Sequence, residues 1–128
     1  MSLRTVQTEF ARLVPRLIEK AFDLGYEVTL GDAYRDPRVF GALGVTLGYG
    51  HPKSGHKQRL ANDINLFLDG EYRADTEAHR DLGEWWERQH PLARWGGRFK
   101  DGNHYSFEFG GMKCTHSYSA ASLNSANR

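Results

Sequence analysis

Apolar residues recur at three- and four-residue steps near the start of the chain: Leu3, Val6, Phe10, Leu13, Leu17, Ile18, Ala21 and Leu24. That spacing predicts one buried face of an amphipathic helix over residues 3–24. Pro15 falls inside the run and predicts a kink or break there. Gly25 follows the last apolar position and suits a helix stop. Residues 26–30 alternate and predict a short strand. The pattern then fades across residues 38–55, where five glycines (Gly41, Gly44, Gly48, Gly50, Gly55) mix with Val39, Phe40, Leu43, Val45 and Leu47. A glycine-rich stretch of this length that still carries apolar residues is expected to form a flap beside a functional site. Residues 60–68 read as a strand, with Asp63, Asn65 and Phe67 on one face and Ile64, Leu66 and Leu68 on the other.

The alternation stops at Asp69-Gly70, a turn signal, and Tyr72 is placed to return as a short strand. Asp75 or Thr76 can cap a helix reaching about Gln89, its buried stripe formed by Ala78, Leu82, Trp85 and Trp86. Trp95-Gly96-Gly97-Arg98-Phe99 leads into a polar turn, Lys100-Asp101-Gly102-Asn103. Residues 104–109 alternate again, His104, Ser106 and Glu108 on one face and Tyr105, Phe107 and Phe109 on the other. Residues 115–128 are rich in Ser, Asn and Ala and are expected to be a mobile tail after a domain of residues 1–114. Trp85, Trp86 and Trp95 are assigned to the core in preference to a sugar-binding platform.

Composition narrows the chemistry. The 128 residues are 39% apolar and 26% charged, which suits one soluble domain. Seventeen Lys and Arg against 16 Asp and Glu leave a formal net charge of +1. That balance provides no electrostatic footprint for nucleic acid. No apolar run approaches the roughly 18 residues of a membrane span. The first residues, Met1-Ser2-Leu3-Arg4, lack the apolar core of a signal peptide, so synthesis in the cytoplasm is expected. Cys114 is the single cysteine. It excludes an internal disulfide and a thiolate zinc site, so any metal must be held by His and carboxylate groups.

Three such groups stand out: His56, Asp63 and His104. A catalytic zinc commonly takes three ligands of these types and keeps a fourth position for water. His56 ends a loop, Asp63 lies seven residues on inside a strand, and His104 begins a second strand. Two neighbouring antiparallel strands would bring all three to one face. The bland alternative makes the histidines surface residues and Asp63 a local pairing or capping group. It leaves unexplained a carboxylate on an apolar strand, where Asp is depleted and a buried lone charge is costly. Asp101, three residues before His104, is placed to take a proton from water at such a metal and pass it to a leaving amine. Asn103 and Ser106 are candidates to orient the histidines. Arg35 at the end of the early strand either holds a substrate carboxylate or oxyanion, or pairs with Asp32 or Asp36. His51 is an alternative ligand. His79 and His116 are expected to be solvated, and His90 to cap a helix end.

The segment Ser54-Gly55-His56-Lys57-Gln58-Arg59-Leu60-Ala61-Asn62-Asp63 resembles the Ser-x-His-x6-Asp motif of the D-alanyl-D-alanine carboxypeptidase and dipeptidase family of zinc peptidases. It looks closest to the L-alanyl-D-glutamate peptidases among phage endolysins. Residues 95–105 resemble that family's second motif, acid-x-x-His, and Tyr34-Arg35 its early arginine motif. The three blocks occur in the family's order within residues 26–109. The resemblance implies an α+β fold, hedgehog/D-Ala-D-Ala peptidase-like, with helices packed on a small antiparallel sheet that carries zinc on one face. It implies Zn2+ held by His56, Asp63 and His104, with Asp101 as base and then acid. Arg35 would polarise the scissile carbonyl or bind substrate, with Ser54, Asn103 and Tyr105 supporting the site or the substrate. The implied partner is the peptide part of peptidoglycan, reached at the cell wall after release from the cell. A monomer is expected, with D-Ala-D-Ala carboxypeptidase or dipeptidase activity, or a non-catalytic zinc-stabilised module, as alternatives.

Overall fold

The computed structural model describes residues 1–36, 38, 42–44 and 54–110. Most of the expected flap, His51, and the tail with His116 lie outside the described residues.

Helix α1 (Leu3–Asp23) starts where the Ser2 side chain accepts a hydrogen bond from the Thr5 amide at 3.2 Å. It buries Val6, Phe10, Leu13, Leu17 and Ala21, the stripe that the periodicity predicts. The helix runs through Pro15 without a break. Pro15 is exposed and removes a single backbone hydrogen bond, a loss that the buried stripe outweighs. Gly25 at φ +95° turns the chain out of the helix, a left-handed conformation that costs glycine little.

The sheet is antiparallel. Strand β1 (Glu27–Leu30) pairs with β2 (Ala61–Leu68) in the register Thr29 opposite Asn65. The far end of β2 pairs with β3 (Glu71–Arg73) across the tight turn at Asp69-Gly70. Its near end pairs with β5 (His104–Phe107), Asp63 opposite His104. Strand β4 (Ala93–Trp95) closes the order β1-β2-β5-β4, pairing Arg94 with Ser106. Sequence periodicity missed β4, because three residues centred on an arginine offer no alternation.

The predicted second helix divides in two. Asp75 caps a 3-10 turn (Thr76–His79), accepting from the Ala78 amide at 3.0 Å, and α2 (Arg80–Glu87) follows. Leu82, Gly83 and Trp86 form its buried face, with Trp85 partly buried. Both helices contribute to a core with Ile64, Leu66, Tyr105 and Phe107 of the sheet. Phe10, Trp86 and Phe107 meet there at ring separations of 5.1–5.8 Å. The Trp86 indole N–H is shared between the carbonyls of Arg94 and Ser106, at 3.1 and 3.2 Å. Trp95 is buried as well, as the core assignment requires. Among the described residues no helix is long and apolar enough to cross a membrane.

Candidate metal centre

The face of the sheet opposite Tyr105 and Phe107 carries Asp63 and His104, brought side by side by the β2–β5 register. The third group, His56, comes from a 3-10 turn (Gly55–Gln58) just before β2. Ser54 caps this turn by accepting from the His56 amide at 3.2 Å. His56 Nε2, His104 Nδ1 and Asp63 Oδ1 form a triangle with sides of 3.2, 3.2 and 3.3 Å. Around a tetrahedral ion with bonds of about 2.0 Å, neighbouring ligand atoms stand about 3.3 Å apart. The three groups could therefore hold a metal ion.

Hydrogen-bond chemistry points the same way. His56 Nδ1 lies 2.7 Å from the Ala33 carbonyl, which can only accept, so Nδ1 carries the proton. In the neutral ring, Nε2 then presents a lone pair to a carboxylate and a second imidazole. Its repulsion with the carboxylate is relieved by a proton on His104 Nδ1 or by a cation lying among the three atoms. Burial pushes the Asp63 carboxyl upward, but the His104 and His56 rings beside it outweigh burial and hold the group below the ordinary carboxylate range. His104 Nε2 is buried with no hydrogen-bond partner among the described residues.

Backbone groups of residues 31–35 wrap the site. The Gly31 amide donates to the Asp63 carbonyl at 2.9 Å, and the Asp63 amide donates to the Asp32 carbonyl at 2.7 Å. Two residues thus oppose one, a bulge that re-aims a strand beside a site. A Cβ at Gly31 would stand 3.0 Å from Asp63 Cβ. The Arg35 amide donates to the His56 carbonyl at 3.1 Å, and its guanidinium to Ser54 Oγ at 3.0 Å. Arg35 also faces Asp32 at 3.7 Å, whereas Asp36 pairs with Arg38 at 2.6 Å. Arg35 and Ser54 are thus joined to the His56 turn.

Asp101 is exposed in the turn before His104; its carbonyl accepts from the His104 amide at 3.1 Å, and its own amide donates to the Gly96 carbonyl at 3.0 Å. Gly96 belongs to the 3-10 turn (Gly96–Phe99), where a Cβ would meet the Asp101 carbonyl at 2.4 Å and His104 Cβ at 2.8 Å. The buried Trp95 indole donates to the Gly102 carbonyl at 2.7 Å and pins the same turn.

Other assignments need correction. Tyr105 points away from the metal group: alternation along β5 sends it into the core, where its hydroxyl lies 2.7 Å from His79 Nδ1. Ser106 shares the face of His104, yet its buried Oγ has no hydrogen-bond partner among the described residues, so it does not orient either histidine. Asn103 contributes a carbonyl to the Ile64 amide at 2.9 Å, fastening β5 to β2. His79 is buried, not solvated, and burial pulls it down to about 4 against a weaker opposing influence of Asp75. His90 does more than cap: it bridges to Glu9 of α1 at 2.7 Å and stacks on Phe107 at 4.4 Å. The sequence reading also missed the buried Arg94, which donates to the carbonyls of Pro91 and Ala93 and lies 3.5 Å from Glu108. The Ala33 carbonyl carries no side-chain signal, but Gly31 and Gly96, each at the end of a strand and packed against Asp63 or His104, could have been flagged as places of close backbone approach.

Neither a protein-family model nor a curated protein matches the chain.

Proposed function

We propose that the chain is a zinc-dependent peptidase that cuts the peptide part of peptidoglycan, at the bond between L-alanine and D-glutamate, in phage or prophage lysis. The observation that carries this reading is the triangle of His56, Asp63 and His104, three ligands of the types a catalytic zinc takes, drawn from distant parts of the chain. The sequence resemblance of residues 34–35, 54–63 and 95–105 to the zinc peptidases supports the substrate class.

Zinc, when bound, would supply Lewis-acid activation of water and of the scissile carbonyl. Asp101 takes the proton from water as its oxygen bonds to the carbonyl carbon. The same carboxyl returns that proton to the amide nitrogen as the C–N bond breaks. Its exposure in the turn that leads into His104 suits a group that must meet both water and substrate. Arg35, pre-positioned by Ser54 and Asp32, offers a cation to the oxygen where negative charge develops.

Asp101→Ala separates binding from catalysis. The variant is expected to retain one zinc per chain by elemental analysis and to lose at least a hundredfold in release of stem peptide from purified walls. Full activity would overturn the assignment of the base. Mass spectrometry of the products identifies the bond: loss of terminal D-alanine would instead indicate a carboxypeptidase, and zinc without any cleavage a non-catalytic module.

A further inference from the structure

The turn that carries His56 ends at Arg59, a residue that neither the metal group nor the proposed chemistry uses. Its backbone is left-handed (φ 60°, ψ 33°), and its amide donates back to the turn carbonyls of Gly55 and His56. A non-glycine residue in this conformation is uncommon. Its guanidinium lies over the ring of Tyr34, 4.0 Å from the centroid. Tyr34 is 42% exposed and lies within the segment whose backbone holds the metal group, between the Ala33 carbonyl on His56 Nδ1 and the Arg35 amide on the His56 carbonyl. The pair therefore joins two segments that are both anchored on His56.

Neighbouring guanidiniums are already engaged, Arg35 by Asp32 and Ser54 and Arg38 by Asp36. Among the described residues, Arg59 is paired with no carboxylate. A guanidinium centred over an aromatic face is held by its carbon and still has N–H groups at its edges, which match a carboxylate with two parallel hydrogen bonds. Stacking also restrains a long side chain, lowering the entropy lost when it binds.

We propose that Arg59, held on Tyr34, is a carboxylate-recognition residue that binds a free acidic group of the peptide substrate beside the bond to be cut. This rests on the peptidase reading and deepens it, because it makes charge next to the scissile bond a determinant of specificity. Removing the carboxylate from the substrate then mimics removing the guanidinium from the protein.

The test uses the zinc-loaded chain and two stem peptides that differ only in whether the glutamate carboxyl next to the cleaved bond is free or amidated. Wild type is expected to favour the free acid roughly tenfold in kcat/KM, mainly through KM, as suits one charge-assisted pair. Arg59→Asn, chosen because asparagine tolerates the left-handed backbone, should bring that ratio to about one with zinc content unchanged. Arg59→Lys should restore part of it. An unchanged ratio in Arg59→Asn, or a ratio near one in wild type, overturns the proposal. Should wild type cut neither peptide, the peptidase reading fails on its own, and binding of the same peptides followed by NMR of the Tyr34 ring decides the subsite. Roughly tenfold tighter binding of the free acid, lost in Arg59→Asn, sustains it; equal binding or none sinks it.

Discussion

The two faces of the sheet each bury histidine, and they treat it differently. On the core face, His79 is enclosed by apolar groups, meets the Tyr105 hydroxyl at 2.7 Å and is held neutral by burial. On the other face, His56 and His104 are equally buried but turn ring nitrogens toward each other and toward Asp63. One histidine is satisfied by a neutral partner. The other two meet a carboxylate with which they could hold a metal ion. Burial of a polar residue is therefore not what distinguishes a site from a core; convergence of acceptors is.

The largest effect expected to sharpen this contrast comes from the core. Trp86→Ala removes a fully buried indole that binds two strands, and should lower unfolding free energy by about 3–5 kcal/mol in urea titrations. Zinc affinity of the folded protein should stay within about threefold, because Trp86 lies behind the sheet. A collapse of zinc binding would mean that the two faces are not separable.

The next effect is in pH. His79 has a folded value of about 4, below the 6.5 of a free histidine. The unfolded chain therefore binds the extra proton first. Stability from this group is complete above pH 6.5 and is lost as pH falls toward 4, amounting to about 3 kcal/mol. In metal-free protein, His79→Phe should remove that part of the slope while leaving the contribution of the other face. Identical pH profiles for the two chains would break the comparison.

The third effect belongs to the metal face. Asp63→Asn keeps the shape but takes away the anionic ligand, and should weaken zinc at least a hundredfold in chelator competition, about 2.7 kcal/mol. Unaltered affinity would show that the two histidines bind without it.

The elements that periodicity made legible are those with one buried face: α1, β2 and β5 lie within a residue or two of their expected limits. The three residues of the candidate metal group were legible too, because an aspartate on an apolar strand demands a partner. What stayed hidden depends on contacts between distant segments. His79 reads as a surface histidine until the split between the 3-10 turn and α2 rotates it inward beneath Tyr105. Arg94 reads as solvated until its guanidinium finds carbonyls in its own turn. The resemblance places Tyr105 at the site, yet alternation along the strand puts it on the face opposite His104.

The His56 ring is oriented by a carbonyl of the main chain, that of Ala33. Every amino acid brings the same oxygen to that position, so no point substitution can delete this restraint outright. Residue 33 is thus free to drift over evolutionary time, while the path of the chain through it is not. Lineages sharing this arrangement would resemble one another there in shape and not in letters.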